Sequence, residues 1–95
     1  MFPVRIKIGK VPFTVLQPIR CAPNVAGIIY YQHRVIEVAH YVNKRKRTER
    51  QRTETFWHEV THGILADMGH PLATNEAFVT AFAKRLATTI NSARF

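Results

Sequence analysis

The stretch "FWHEVTHGILADMGH", from Phe56 to His70, contains His58-Glu59-x-x-His62: two histidines four residues apart, with a glutamate directly after the first. On a helix, residues four apart stand about 40° apart around the axis, so both imidazoles aim at one point. A glutamate about 100° further round reaches a water held at that point without being a ligand itself. A catalytic zinc asks for about three protein ligands, one open position for water and a base beside it. His58 and His62 qualify as ligands, and Glu59 as the base.

The third ligand must come from elsewhere. Asp67 lies nine residues after His58, about 180° around the same helix, and points away. The longer HExxHxxGxxH pattern needs a glycine and a histidine where this chain has Leu65 and Met68. His70 follows Gly69, just past the expected helix end, where a histidine commonly meets terminal carbonyls. Glu76 opens a second helix at the edge of its apolar stripe, so the packing that docks this helix turns the carboxylate toward the first. A carboxylate on a buried edge is costly unless paired or metal-bound. Its competing role is stabilisation of the helix dipole, and His70 stays open as the alternative ligand.

These residues need elements to position them. Thr48-x-x-Gln51 has the form of a capping box, with Thr53 as a rival start. Gly69 sits where a helix C-cap belongs, and Pro71 follows. One helix of about 20 residues is predicted, with Phe56, Val60, Ile64 and Met68 as the stripe packed on a sheet and Trp57 as a core residue. A second helix starts after Asn75 and carries Phe78, Val79, Phe82, Ala83, Leu86 and Ile90 on one face. Upstream, "VRIKI" and "PFTVLQ" flank Gly9-Lys10 and read as a hairpin. "GIIYYQHRVIEVAHYV" gives two more strands around Gln32-His33-Arg34. The predicted fold is α+β: an N-terminal antiparallel sheet packed against two C-terminal helices, forming a single minimal domain over residues 1–95.

Ninety-five residues suit one small core, and 46% hydrophobic residues exclude a disordered chain. No apolar run approaches the roughly 20 residues that span a bilayer, and the N-terminus lacks a signal-peptide core. With one cysteine, Cys21, read as inert, the expectation is a soluble cytoplasmic protein without a membrane partner. Net charge is +8, and six of the fourteen basic residues fall in "KRKRTERQR", Lys44 to Arg52. The run reads as a solvated loop and first helical turn. Nucleic acid is the less favoured partner for this 44–52 segment, because no aromatics interleave for base stacking.

"HEVTHGIL" followed by "NEAFVTAFAKRL" resembles the gluzincin metallopeptidases, in particular the small ImmA/IrrE-type and minigluzincin members. Glu76, Val79, Phe82, Ala83 and Leu86 match the pattern that opens with the family's glutamate ligand. The upstream "GIIYYQHRVIEVA" is similar to its hairpin. The resemblance spans Gly27 to Ile90 and implies a zinc endopeptidase, with His58, His62 and Glu76 holding Zn2+ and Glu59 as general base. Small members of this kind are frequent in phage-derived segments. Larger gluzincins draw an oxyanion donor from a downstream domain, which leaves His70, Tyr30, Tyr31, His33, His40 and Tyr41 as substitutes here and makes low or latent activity part of the expectation.

The reaction expected is hydrolysis of a polypeptide laid along a strand edge, by a metal-activated water. A non-catalytic zinc-binding interaction domain is the alternative, although a purely structural site needs no base. A zinc-dependent nucleic-acid-processing hydrolase is the other, although an H-x3-H-x5-H set fails at Met68.

Overall fold

The computed structural model describes residues 2–95, and it is α+β as predicted. Six strands come first: β1 (Arg5–Ile8), β2 (Val11–Leu16), β3 (Gly27–Tyr30), β4 (Val35–Val38), β5 (Tyr41–Val42) and β6 (Arg45–Lys46). Helix α1 (Glu49–Asp67), a single 3-10 turn (Pro71–Thr74) and helix α2 (Glu76–Ser92) follow.

The first four strands form one sheet in the order β1-β2-β4-β3. The sheet is mixed, not wholly antiparallel: β1–β2 and β3–β4 are antiparallel hairpins, but β2 and β4 run parallel, with Val15 opposite Ile36. Alternation along a strand fixes its inward face and says nothing of its neighbours. β4 takes the centre because Ile36 and Val38 are the strand residues with no exposed surface, and this leaves β3 on the edge. The inward residues Phe13, Val15, Ile36 and Val38, together with Ile8, meet Phe56 and Val60 of α1 in one core.

α1 begins as its capping box requires: Thr48 Oγ1 accepts from the Gln51 amide at 3.1 Å, and Gln51 Oε1 accepts from the Thr48 amide at 2.9 Å. The rival start, Thr53, lies inside the helix and bonds back to the Glu49 carbonyl. Gly69 ends the helix at φ 64°, with the His70 amide donating to the Leu65 carbonyl at 2.8 Å. The predicted stripe holds only in its first half. Ile64 and Met68 are 44% and 64% exposed, and Gly63 is buried in their place. A four-residue repeat turns about 40° per step, so by Met68 it has left the sheet, whereas Gly63 returns nearly to the azimuth of Phe56. Ile8 and Ile29 close over that glycine. Trp57 packs half-buried at the core margin, edge-on to Phe56.

α2 also differs from expectation. Its buried residues are Val79, Ala83 and Ala87, while Phe78, Phe82 and Ile90 stand on the exposed side, the two phenylalanine rings stacked at 5.8 Å. Small residues at every fourth position let α2 lie close against α1, and the large apolar side chains have no further layer to enter. Neither helix is long and apolar enough to cross a membrane.

The basic run is a loop only in part: Arg50 and Arg52 lie in the first turn of α1 as expected, but its first half forms a hairpin. Lys44, Arg45 and Lys46 belong to the β5–β6 hairpin, turned at Asn43 with φ 56°. The Asn43 side chain donates to Asn24 Oδ1 at 2.7 Å and accepts from the Asn24 amide at 3.2 Å. Arg20 donates to the Asn43 carbonyl at 3.3 Å. The hairpin is thereby fastened to the loop that precedes β3.

Candidate metal centre

His58 and His62 project from the third and fourth turns of α1, away from the sheet. Asn75 caps α2 through a 2.9 Å bond from the Phe78 amide, which sets Glu76 in the first turn, facing both histidines. His58 Nε2 lies 3.2 Å from Glu76 Oε2, and His62 Nε2 lies 2.7 Å from Glu76 Oε1. The two histidine nitrogens are 3.2 Å apart. The expected set of His58, His62 and Glu76 is therefore brought together and could hold a metal ion.

The donors fit that role. Three atoms each about 2.1 Å from a tetrahedral centre stand about 3.4 Å from one another, close to the spacing found. His62 Nδ1 donates to the Ala73 carbonyl at 2.6 Å, which turns its Nε2 toward the shared point and fixes the ring's orientation. Burial lowers the His58 pKa; Glu76 opposes this and His62 adds to it, so the imidazole favours its neutral, ligating form. One expectation fails in detail. Glu76 is not on a buried edge: its side chain is 70% exposed at the mouth of the site, because the face of α2 that seals against α1 carries only small residues. Helix capping places this carboxylate, and burial does not.

Glu59 turns from the same helix toward β3 and is 8% exposed. Among the described residues, no hydrogen bond or ion pair holds its carboxylate, which borders the cavity shared with the three donors. Burial raises its pKa from 4.5 to about 7, with His62 lowering it and Glu76 raising it. Gly27 of β3 makes room here: a Cβ at that position would meet Thr55 Cγ2 at 2.5 Å and the Glu37 carbonyl at 3.0 Å, with Glu59 Cγ next at 3.5 Å.

The cavity, about 850 Å³, runs between the outer edge of β3 and the two helices. Of the six proposed oxyanion donors, Tyr31 alone borders it. Burial and the Glu59 charge raise the Tyr31 pKa, so its hydroxyl keeps its proton at neutral pH. His70 is occupied as the cap of the 3-10 turn, its Nδ1 accepting from the Leu72 amide at 3.1 Å. His40 pairs with Arg52 at 2.7 Å, while Tyr30 stacks edge-on with His33 in the β3–β4 turn. Tyr41 lies half-buried in β5. None of these five borders the cavity. Cys21 stays outside the donor group, its thiol raised to about 11 by burial and by the neighbouring Glu37.

Sequence reasoning placed Arg47 with Lys44, Arg45 and Lys46 in a solvated run peripheral to the site, yet it borders the cavity, donating from Nη1 to Thr55 Oγ1 at 2.6 Å. Its place as the fourth cation of a basic run hid it: Lys44, Arg45 and Lys46 are exposed, whereas Arg47 is half-buried. Comparison of the chain with protein-family models, with curated proteins and with solved structures gives no match.

Proposed function

We propose that the protein is a zinc-dependent endopeptidase of the gluzincin kind. The observation that carries this reading is the convergence of His58, His62 and Glu76 beside an unpartnered, buried Glu59, all within a cavity walled by the free edge of β3. Two imidazoles and a carboxylate are the donor set of hydrolytic zinc sites. When bound there, zinc would supply Lewis-acid polarisation of the scissile carbonyl and a lowered pKa for water.

The chain's own residues supply the rest. The outer edge of β3 offers main-chain hydrogen bonds to an extended polypeptide, fixing it along the cavity without regard to sequence. Glu59 accepts the proton of the attacking water and passes it to the departing amine nitrogen, a role open to a carboxylate that borders the cavity beside the three donors. The Tyr31 hydroxyl, still protonated, is the donor available to the oxygen on which negative charge develops.

The test joins metal content to turnover. The purified protein should carry about one zinc per chain and cleave unstructured polypeptide. Glu59→Gln should keep metal and fold while losing hydrolysis by at least about 100-fold, because the amide cannot take the proton. Hydrolysis by Glu59→Gln within a few-fold of the unaltered protein, or cleavage of RNA with none of peptide, would sink the mechanism.

A further inference from the structure

Resting on the peptidase reading, we propose that the end of the cavity bounded by Arg47 and Lys84 is an anionic subsite. It takes the carboxylate side chain of an aspartate or glutamate one or two residues from the cleaved bond, so the substrate is an acidic polypeptide segment.

Arg47 and Lys84 both line the cavity, from different elements. α1 and α2 lie antiparallel, so Lys84, two turns beyond Glu76, comes level with the early turns of α1, where Arg47 is bonded to Thr55. Arg47 uses one of its donors on the Thr55 hydroxyl, and among the described residues neither Arg47 nor Lys84 forms an ion pair. Glu54, which also lines the cavity, acts on Arg47 through its charge and lies 3.9 Å from Arg50 in a solvent-exposed pair. Two cations thus line this part of the cavity against one carboxylate whose charge they share with Arg50. Arg47 is half-buried and held by its hydroxyl partner, so little further ordering is needed when an anion arrives.

Thr55 precedes His58 by three residues, about 4.5 Å along the helix axis. An extended peptide advances about 3.3 Å per residue, which puts the Arg47 guanidinium one or two residues from the bond at the metal centre. A polypeptide fits better than a nucleic acid: the facing wall is an unpaired strand edge, and Tyr31 is the only aromatic residue bordering the cavity, too little for base stacking.

The experiment measures binding apart from turnover. Zinc-loaded Glu59→Gln protein is titrated against fluorescent decapeptides carrying one glutamate at successive positions, each matched with its glutamine isostere. One position should bind about tenfold tighter as glutamate than as glutamine, the effect of a charge-assisted hydrogen bond. Arg47→Gln and, separately, the exposed Lys84→Gln should each shrink that preference. Glutamate and glutamine peptides within twofold at every position, no peptide binding at all, or tighter binding of a single-stranded RNA oligonucleotide overturns the subsite. The unaltered protein keeps the two readings separate. Equal cleavage of both peptide sets removes the subsite and leaves the peptidase, whereas glutamate-selective binding with no cleavage removes the peptidase and leaves the subsite.

Discussion

Replacing Glu76 with alanine separates a metal ligand from a residue that merely suits a helix N-terminus. In the metal-free protein Glu76 pairs with two histidines, but its side chain is 70% exposed. Solvent screening holds such pairs to about 1 kcal/mol or less, and the helix-dipole contribution is of similar size, about 0.3–1 kcal/mol. Stripped of metal, the mutant should therefore be less stable by about 2 kcal/mol at most, roughly 8–16 °C in Tm, so the deciding comparison is the rise each protein shows on adding zinc. Zinc should separate them further. With free metal at about 1,000 times the dissociation constant, binding stabilises the fold by about 4 kcal/mol. Loss of one of three protein donors should weaken affinity by at least the roughly 10–100-fold that follows loss of a residue merely supporting a ligand. A hundredfold weakening at the same metal concentration leaves about 1.4 kcal/mol. The difference, close to 2.7 kcal/mol, corresponds to about 10–20 °C in Tm for a chain of this size. The assay is a zinc titration of both metal-stripped proteins, each point followed by thermal melting. An equal metal-induced rise in Tm for Glu76→Ala and the unaltered protein would refute the ligand assignment.

Three further outcomes are expected. Thr48→Ala, which removes the capping bond to the Gln51 amide, should cost about 1 kcal/mol in urea unfolding without altering zinc affinity. Cys21, raised to about 11, should alkylate on the order of 100-fold more slowly in the folded protein at pH 8 than in denaturant, where a thiol titrates near 8.5. Because its folded pKa lies above the unfolded one, its share of stability is complete below the unfolded value and is lost as pH rises toward 11; equal alkylation rates folded and unfolded would contradict the burial described. Replacing Lys44, Arg45 and Lys46 together with glutamine should leave the melting temperature and cleavage of a neutral peptide within about twofold, since these side chains point outward from the hairpin; loss of neutral-peptide cleavage in a folded protein would place the hairpin inside the active site.

The group of His58, His62 and Glu76 that could hold a metal was legible in the sequence because each of its parts obeys a local rule. Four-residue spacing sets the two imidazoles on one side of a helix, and the capping signals at Thr48 and Asn75 fix where both helices begin, and so where Glu59 and Glu76 point. The four strands of the main sheet were legible for the same reason. What local rules do not carry is adjacency. The parallel pairing of β2 with β4, which makes β3 the edge strand beside the site, depends on how the whole chain closes around its core. Gly63 was missed because a glycine has no side chain to mark a buried face; the position is revealed only by the two isoleucines that cover it. Phe78 and Phe82 misled in the opposite direction: their spacing is that of a core stripe, but the neighbouring alanines fit the partner helix more closely. Arg47 shows the limit for charge patterns, since a run of like charges gives no sign of which member is half-buried beside a cavity.

The hydrogen bond from His62 to the carbonyl of Ala73 ties the chemistry of one helix to the backbone of the segment that leads into the next. A carbonyl is contributed by every residue type, so sequence drift at position 73 can alter the side chain freely and leave the imidazole anchored. A change in segment length cannot be absorbed in the same way. One residue inserted between Gly69 and Asn75 would displace the anchor of His62 and the start of α2, carrying Glu76 with it, in a single event. Natural variation across this connection is thus expected to be permissive in letters and strict in number, with the interval from His62 to Glu76 behaving as an inherited ruler.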